Sequence, residues 1–431
     1  MSELPTGWIE VPIGMVCEVV GGSTPRTNVA EYWDGDIPWV TPDDLSRDRS
    51  QYVGGGRRCL TEAGYSSCST QLIPAGSVLY TSRAPIGHVA IAKQAVCTNQ
   101  GFKSFVPPPG LSSRYLYWYL RWATPMIREL GSGTTFAEIS GKVAKTIPLR
   151  LPPSSEQERI VEAIEEQVSR LDTAVYALQS ARHRLVLLRR AILTEAARCD
   201  YPGKTVGDIA NLSDGPFGSN LKTSDYVEEG PRVVRLQNIG NGCFRDEKAC
   251  ITEEHFKALT KHGVRPSDVV VASLGADAPR ACLIPSWLGP AIVKADCVRV
   301  RANADMDPRF LMWILNSPPV RTQATIRIKG IGRPRLGLGG IRDLEVPVPP
   351  LDEQRRFVSK IEQGTTLLAA LDDSVGRALV RVDQLRGAIL QRAFMGKLVR
   401  QDPNDGLAAE LLERIASDHR TSTTRRRRQR A

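Results

Sequence analysis

The side chains that most often carry catalysis or hold metals are few and scattered in this chain. Its nine cysteines form no C-x-x-C pair, and its five histidines show neither H-E-x-x-H nor H-x₃-H spacing. No Gly-x-x-x-x-Gly-Lys-Ser/Thr loop is present, and Gly330-x-Gly332 does not end a strand that opens a helix, as a dinucleotide fingerprint would. The Asn/Asp-Pro-Pro-Tyr/Phe loop of an adenine methyltransferase is also missing. These residues predict a chain that performs no chemistry itself and holds no metal.

The charge of the chain points instead to binding. Lys and Arg number 57 against 47 Asp and Glu, which gives a formal net charge of +10 and a pI near 9.2. Such an excess favours a polyanionic partner. Part of it lies in the C-terminal tail, from Arg425 to Arg428 and at Arg430, and this tail either assists DNA binding or is simply solvated. No stretch approaches about 18 consecutive apolar residues, and the scattered cysteines are typical of reduced proteins, so we expect a soluble cytoplasmic protein.

The strongest pattern is a stretch that occurs twice, 197 positions apart. The copy from Leu149 through Ala197 matches the copy from Val346 through Phe394, and each opens on Pro-Pro-x-x-Glu-Gln. Each copy also carries an apolar residue at every seventh position, which is the spacing of a coiled-coil seam. The seam residues are Ile164, Leu171, Leu178, Leu185 and Ile192 in the first copy, and Ile361, Leu368, Val375, Val382 and Ile389 in the second.

Each copy is therefore predicted to be one helix of about 45 residues, or about 65 Å. Ser155 and Asp352 are the predicted N-caps, and Ser155 with Glu158 has the pattern of a capping box. The helices should end near Pro202-Gly203 and near Gly396. A long amphipathic helix needs a partner, and we expect each copy to pair with the other. The alternative is two unrelated helices that each pack on their own domain.

Two globules alternate with the two helices. In residues 1–148, short β-type runs such as Ile37 to Thr41 and Lys103 to Val106 are separated by glycine and proline turns, and a helix is predicted around Arg114 to Leu130. Residues 204–345 repeat this plan more loosely. The strands do not alternate regularly with helices, so the fold class is α+β with an internal repeat. The predicted segments are 1–148, 149–203, 204–345, 346–400 and a C-terminal short helix with its basic tail, 401–431.

The order of the motifs resembles the specificity subunit of a type I restriction–modification system. The resemblance covers nearly the whole chain. It is carried by Gly21-Gly22-Ser23-Thr24-Pro25, Tyr32-Trp33-x-Gly35-x-Ile37-Pro38-Trp39-Val40, Ser82-Arg83-Ala84-Pro85-Ile86-Gly87, Thr98-Asn99-Gln100-Gly101-Phe102-Lys103, the two Pro-Pro-x-x-Glu-Gln helix starts, and Gly396-Lys397-Leu398-Val399-x-Gln401-Asp402-Pro403. The second globule departs from the pattern: it lacks the Gly-Gly-x-x-Pro and Tyr-Trp elements and has Ser213-Asp214-Gly215-Pro216-Phe217-Gly218-Ser219 instead.

The resemblance implies that the globules are two target recognition domains, each of which reads one half of a split DNA sequence. It implies that the long helices pair as an antiparallel coiled coil, with pseudo-two-fold symmetry, and hold two copies of a methyltransferase subunit, and that restriction subunits join them. S-adenosylmethionine, and ATP with Mg²⁺ where a restriction subunit is present, would then bind partner subunits and not this chain. Exposed apolar residues beyond the seam, such as Val161, Val186, Leu187 and Phe357, would leave a surface for a partner.

Sequence readout needs side chains that can bond base edges, such as Arg with guanine and Asn or Gln with adenine. Candidates lie in polar, glycine-rich loops, although any one of them could instead contact phosphate or only face solvent. In the first globule they are Ser23, Thr24, Arg26, Thr41, Arg83, Asn99, Gln100, Lys103, Thr134 and Thr135. In the second they are Ser219, Asn220, Lys222, Arg235, Gln237, Asn238, Arg280, Lys329, Arg333 and Arg335. Trp39 and Trp118 are expected in the core. The alternative function is a coiled-coil scaffold or repressor-like DNA-binding protein that acts without modification subunits.

Overall fold

A computed structural model describes residues 4–83, 85–131, 138–216, 221–275, 277–330 and 334–417. The chain divides into two compact units. The first consists of residues 1–176 and 379–431, and the second of residues 177–378. Each unit therefore contains one globule and part of each long helix, and the boundary between units passes through the helices.

The first unit is built from short strands around one buried helix. Its strands are β1 (Ile9–Pro12), β2 (Glu18–Gly21), β3 (Trp33–Val40), β4 (Tyr52–Val53), β5 (Arg58–Leu60), β6 (Val78–Tyr80), β7 (Val89–Ala92), β8 (Cys97–Thr98), β9 (Lys103–Val106) and β10 (Pro148–Leu151). Its helices are α1 (Pro42–Arg47), α2 (Glu62–Ser66), α3 (Ser113–Glu129), α4 (Gly141–Thr146) and the first half of α5 (Ser154–Ala197). The strands and the helix predicted from the sequence are confirmed to within a few residues.

The strands of this unit form small sheets. A five-stranded sheet has the order β2-β9-β6-β7-β4, a three-stranded sheet has the order β5-β3-β8, and β1 pairs with β10. Helix α3 lies in the main core, where Trp118 is buried as expected. The end of the second long helix, Leu351–Phe394, completes this core: Phe394 contacts the rings of Tyr115, Tyr119 and Trp122 at centroid distances of 5.2–5.5 Å. Residues 408–417 form the expected short helix, and its apolar side chains pack into the same core.

The second unit follows the same plan. Its strands are β11 (Gly203–Thr205), β12 (Ala210–Asp214), β13 (Val227–Val234), β14 (Gly263–Val264), β15 (Val269–Ala272), β16 (Arg280–Leu283), β17 (Ala291–Val293), β18 (Cys297–Ala302) and β19 (Glu345–Pro347). Its helices are α6 (Val206–Ile209), α7 (Glu253–Ala258), α8 (Pro308–Leu315), α9 (Pro318–Arg327), α10 (Leu338–Arg342) and the first part of α11 (Leu351–Phe394). The sheets are β12-β18-β15-β16, β13-β17-β14 and the pair β11-β19.

The long helices α5 and α11 pack against each other within each unit. In the second unit, Arg182 donates to Asp372 at 2.7 Å and Lys360 to Glu195 at 2.6 Å, so residue numbers rise along α5 as they fall along α11. This order means that the helices run antiparallel. All ten predicted seam residues are buried or half-buried. The predicted antiparallel coiled coil is therefore confirmed, and each helix has 44 residues, close to the expected length.

The helix starts differ from the prediction in one respect. Helix α5 begins at Ser154 and α11 at Leu351, so Ser155 and Asp352 lie in the first turn and are not N-caps. The Ser155 hydroxyl donates instead to the Asp405 carboxylate at 2.7 Å. Helix α5 also ends at Ala197, before Pro202, whereas α11 ends as expected beside Gly396, whose φ of +64° suits glycine at this position.

The repeated Glu-Gln motif has a structural role in both units. The buried Gln157 side chain accepts from the Ser112 N–H at 2.9 Å and donates to the carbonyls of Gly110 and Pro152. Gln354 does the same in the second unit with the Asp307 N–H at 2.7 Å and the carbonyls of Asp305 and Pro349. Each glutamine thus joins the start of a long helix to the loop that precedes the core helix of its globule.

Candidate nucleic-acid interface

In the first unit, the residues that follow three strands lie together at one edge. Strands β3 and β8 run parallel, so their carboxyl ends coincide, and the Asn99 N–H donates to the Val40 carbonyl at 3.1 Å. The Ser23 N–H, just beyond β2, donates to the Thr98 carbonyl at 2.9 Å. We call this the first edge; the candidates that it brings together are Ser23, Thr24, Thr41, Asn99 and Gln100. The neighbouring Ser82 N–H donates to the Gly101 carbonyl at 2.7 Å, which places Arg83 and Lys103 beside them.

The Gly-Gly and Trp motifs hold the backbone of the first edge. A methyl group on Gly22 would overlap the carbonyl oxygens of Thr98 and Asn99, so only glycine fits there. The indole N–H of Trp39 donates to the Ser23 carbonyl at 3.2 Å, and its ring meets that of Trp33 edge-on at 5.0 Å. Trp39 is buried, as expected, and supports the loop from below.

Several first-edge side chains already bond within the chain. Thr41 caps α1 in a capping box with Asp44, the Asn99 side-chain oxygen accepts from the Gly101 N–H at 2.9 Å, and Thr24 bonds to Gln100. These contacts fix the loops. Gln100 is nevertheless exposed, as is Arg26, so both can reach a ligand.

Arg83 and Lys103 share a carboxylate that the sequence did not single out. Glu138 lies 3.8 Å from the guanidinium of Arg83 and 3.8 Å from the ammonium of Lys103. Burial lowers the pKa of Lys103, while the charge of Glu138 acts in the opposite direction. The group is a compact set of two donors and one acceptor.

Two further arginines were missed by the sequence reasoning. Arg57 pairs with Asp43 and Asp44, and the Arg58 guanidinium lies 3.4 Å from the centroid of the Trp33 ring. With Trp39 and Thr41 they line a cleft of about 230 Å³. The available signal was the glycine run Gly54-Gly55-Gly56 that directly precedes two arginines.

The second unit has an equivalent edge, although its sequence lacks the motifs. Strands β13 and β17 run parallel, and the Lys294 N–H donates to the Val234 carbonyl at 2.9 Å, as Asn99 does to Val40 in the first unit. The Arg235 N–H donates to the Asn238 side chain at 2.8 Å, as the Thr41 N–H does to Asp44 at 2.9 Å. A methyl group on Gly215 would overlap Lys294, so Gly215 takes the place of Gly22.

The candidates of the second globule take different roles at this second edge. Asn238 is 1% exposed, and its amide donates to the carbonyls of Arg245 and Glu247, so it holds the loop together. The Arg280 guanidinium bonds to Asp277 at 2.7 Å, and that of Arg335 pairs with Asp296 at 2.9 Å. Arg235 is half-buried, whereas the side chains of Lys222, Gln237 and Lys329 are exposed.

Tyr226 and Lys294 were also missed. The Lys294 ammonium donates to the Tyr226 hydroxyl at 2.9 Å and lies 5.0 Å from the centroid of its ring. Tyr226 precedes the eight-residue strand β13 as Tyr32 precedes the eight-residue strand β3. The lone tyrosine was the only sequence signal for this match. Five candidates, Thr134, Thr135, Ser219, Asn220 and Arg333, lie outside the described residues.

Apolar side chains on the long helices only partly match the expectation. Val186 and Leu187 are exposed, as predicted, and Tyr176, Leu367 and Val380 are more exposed still. Val161 and Phe357, however, are not available to a partner. Val161 is buried in the core of the first unit, and Phe357 packs on Phe310 in the second. The first turns of each helix belong to a globule.

No group of His, Cys, Asp and Glu within the described ranges could hold a metal ion. All nine cysteines are unpaired with one another, and burial raises the pKa of the Cys17 thiol to about 12. In the part of the chain that the structure covers, no helix is both long enough and apolar enough to cross a membrane.

Comparisons with known proteins agree with this architecture. The family model described as the type I restriction modification DNA specificity domain matches residues 5–174. The MjaIX specificity subunit of Methanocaldococcus jannaschii is 41% identical over 162 residues, which are 37% of this chain and 38% of that protein. The EcoBI specificity subunit of Escherichia coli is 22% identical over 96% of this chain and 93% of its own length.

Two solved structures have the same fold. A chain from a study of the complex assembly and conformational transition of the type I R-M system superposes with a TM-score of 0.75 at 18% identity, over 92% of this chain and 100% of that one. The HsdS subunit from Thermoanaerobacter tengcongensis gives a TM-score of 0.57, also at 18% identity, over 92% of this chain and 98% of its own. The specificity domain, the full-length relatives and the fold agree: this chain is similar, over nearly its whole length, to DNA specificity subunits of type I restriction–modification systems.

Proposed function

We propose that the first edge reads one half of a split DNA target and that the second edge reads the other half. The observation that carries this proposal is the repetition of one backbone frame with different side chains. Thr41 and Asn99 in the first unit are replaced by Arg235 and Lys294 in the second. Base readout depends on the donors and acceptors that a loop presents, so two frames with different side chains suit two different half-sites.

The chain acts in this proposal as a non-catalytic adaptor in the cytoplasm. Two methyltransferase subunits bind the exposed apolar residues of the long helices, such as Tyr176, Leu187 and Val380, and restriction subunits join the complex through them. S-adenosylmethionine, ATP and Mg²⁺ serve the partner subunits. A coiled coil of fixed length keeps the spacing of the two half-sites fixed, so an unread gap of constant length separates them.

The test is single-molecule mapping of modified bases in host DNA, with the gene intact, deleted, or restored from a plasmid. The expected result is a split motif with a methylated adenine that disappears on deletion and returns on restoration. A modification pattern that is unchanged by deletion, in cells where the partner methyltransferase is active, contradicts the adaptor role.

Point variants then assign each half-site to a globule. Gln100 and Gln237 are exposed glutamines of the two edges, and glutamine pairs with adenine. Gln100→Ala should relax the motif in one half only, and Gln237→Ala in the other half only. Gln179→Ala, which removes an exposed glutamine on helix α5 outside both edges, is the control and should leave the motif unchanged. A change in both halves from either variant would contradict the assignment.

A further inference from the structure

A cleft in the second unit carries an unusual concentration of positive charge. It has a volume of about 500 Å³ and lies between the last turns of α5, the helix α9 and the loop at Asn241. Among the described residues that line it are Arg189, Arg190 and Arg321, and none of the lining residues is acidic. The charge is not balanced within the cleft itself.

The three guanidinium groups are held to different degrees. Arg321 donates to the side-chain oxygen of Asn241 at 2.5 Å and to the Pro279 carbonyl at 3.2 Å, and Arg189 donates to the Asn241 carbonyl at 2.9 Å. Arg190 is exposed, and its side chain has no hydrogen bond or ion pair with any residue that the structure describes. The loop at Asn241 thus fixes two of the groups, while the third is available to a ligand.

One carboxylate acts on Arg321 but is shared with an arginine outside the cleft. The charge of Asp277 raises the pKa of Arg321, but Asp277 bonds to Arg280 through both of its oxygens, at 2.7 and 2.9 Å. Burial lowers the pKa of Arg321, and the charges of Arg280, Arg189 and Arg190 lower it further, which is the direction expected where positive charges crowd together. An anion in the cleft would relieve this repulsion.

The first unit supplies an internal comparison. Arg386 of α11 is the counterpart of Arg189, 197 positions on, and it pairs there with Asp172 and, at 3.4 Å, with Asp383. The positions in the second unit that match these two acids hold Ala369 and Val186. The position that matches Arg190 holds Gly387 in the first unit. At this place the second unit therefore has two negative charges fewer and one positive charge more than the first unit.

The geometry favours phosphate as the anion. Guanidinium groups present donors in a fixed fork that matches phosphate oxygens, and three of them together suit a dianion better than a single carboxylate. The cleft also adjoins the second edge, because the Arg280 guanidinium donates to the carbonyl of Ile239, two residues before Asn241. A backbone phosphate of bound DNA or the phosphate of a free nucleotide could each supply the group.

We propose that this cleft binds a phosphate ester through Arg189, Arg190 and Arg321. The case in which the phosphate belongs to DNA rests on the proposed function, since a backbone phosphate reaches the cleft only if the second edge binds DNA. Binding of a free phosphate ester does not depend on it.

The experiment uses the full-length chain and two ligands. Calorimetric titration with sodium pyrophosphate measures the cleft directly, and duplex DNA that carries the mapped target is titrated at several salt concentrations. The double variant Arg189→Gln with Arg190→Gln should bind pyrophosphate about tenfold or more weakly, the effect expected from losing charge-assisted hydrogen bonds. Arg198→Gln removes an exposed charge just after the same helix but outside the cleft, and should bind like the unaltered chain.

The two ligands distinguish the source of the phosphate. The logarithm of the DNA-binding constant falls linearly with the logarithm of the salt concentration, and we call the steepness of this fall the salt slope. If the double variant also lowers the salt slope by about 1 for each phosphate that the cleft no longer neutralises, the ligand is a DNA backbone phosphate. If pyrophosphate binding falls but the salt slope is unchanged, the cleft takes a free phosphate ester. The proposal is overturned if the double variant binds both ligands like the unaltered chain, or if Arg198→Gln weakens binding as much. Failure of the half-site assignment would appear in the methylation map and leave the pyrophosphate titration unaffected.

Discussion

Replacement of the buried Gln354 by leucine tests whether the repeated Glu-Gln motif is a structural brace. Leucine has similar size but no polar atoms, so it leaves three backbone groups without their partner: the Asp307 N–H and the carbonyls of Asp305 and Pro349. Asp305 is exposed, and its carbonyl can turn to water, whereas Pro349 is buried and Asp307 is half-buried. Unpaired buried groups cost about 1–3 kcal/mol each, so two of them predict a loss of about 3 kcal/mol.

The loss should be local, because Gln354 acts within one of two compact units. A single free energy of unfolding is poorly defined for such a chain. Hydrogen exchange measured peptide by peptide is therefore the better assay. A loss of about 3 kcal/mol corresponds to exchange about 100-fold faster at the Asp307 amide and in the first turn of α8. Gln157→Leu should have the same effect on the Ser112 amide and the start of α3.

The control is Gln363→Leu, which changes an exposed glutamine on the same helix and should alter exchange little. Unchanged exchange at Asp307 in the Gln354→Leu variant, together with loss of methyltransferase binding, would refute the reasoning. The motif would then be a contact for a partner and not a brace.

Three further predictions follow from the first unit. Gly22→Ala should displace the first edge and weaken specific DNA binding at least about tenfold, whereas Gly21→Ala, where a methyl group meets no atom, should not; equal binding by both variants would contradict the close approach. Burial raises the pKa of Glu156, so the folded state binds its proton more tightly than the unfolded chain, and ionisation costs stability as the pH rises above 4.5. Glu156→Gln should therefore raise the melting temperature at pH 7 but have little effect near pH 4, and an equal effect at both would show that charge is not the cause. Hydrogen bonds from Arg159 and Ser155 hold the pKa of Asp405 at about 2, so the contribution of this carboxylate is present above 3.8 and lost as the pH falls through about 2. Asp405→Asn should speed hydrogen exchange in residues 408–417 about tenfold at pH 7, and unchanged exchange would mean that apolar packing alone holds this helix.

The long helices could be predicted because their signal is repeated many times. Five apolar residues at seven-residue intervals, found twice in the same register, predict a pair of helices that share a coiled-coil seam. The predicted exposure of side chains was wrong near the starts of the two helices. Val161 and Phe357 lie off the seam and were expected to be exposed, but the first turns of each helix are enclosed by a globule, so apolar residues on more than one face are buried there. A helical pattern shows which residues share a face but not how many faces are covered.

The second edge could not be predicted, because backbone hydrogen bonds define it. The bond from Asn99 to Val40 and the bond from Lys294 to Val234 involve only main-chain atoms, which leave no trace in the side-chain sequence. The capping position shows the same effect. The side chains of Asp44 and Asn238 each accept from the backbone N–H three residues earlier, although one is a carboxylate and the other an amide. The sequence could not show whether Asn238 braces a loop or reads a base, since asparagine suits both.

Under the proposed function, this independence of frame and side chain would let one fold read two different half-sites. The Ile139 N–H donates to the Ser82 carbonyl at 2.9 Å, and the Leu336 N–H donates to the Ser273 carbonyl at 2.7 Å, so the residues just before them, Glu138 and Arg335, occupy the same place in the two frames. One is an acceptor and the other a donor. Because main-chain bonds hold both positions, a change of side chain there alters what the edge presents without loosening the loop, and each globule can acquire a new preference while its fold and the coiled coil stay the same.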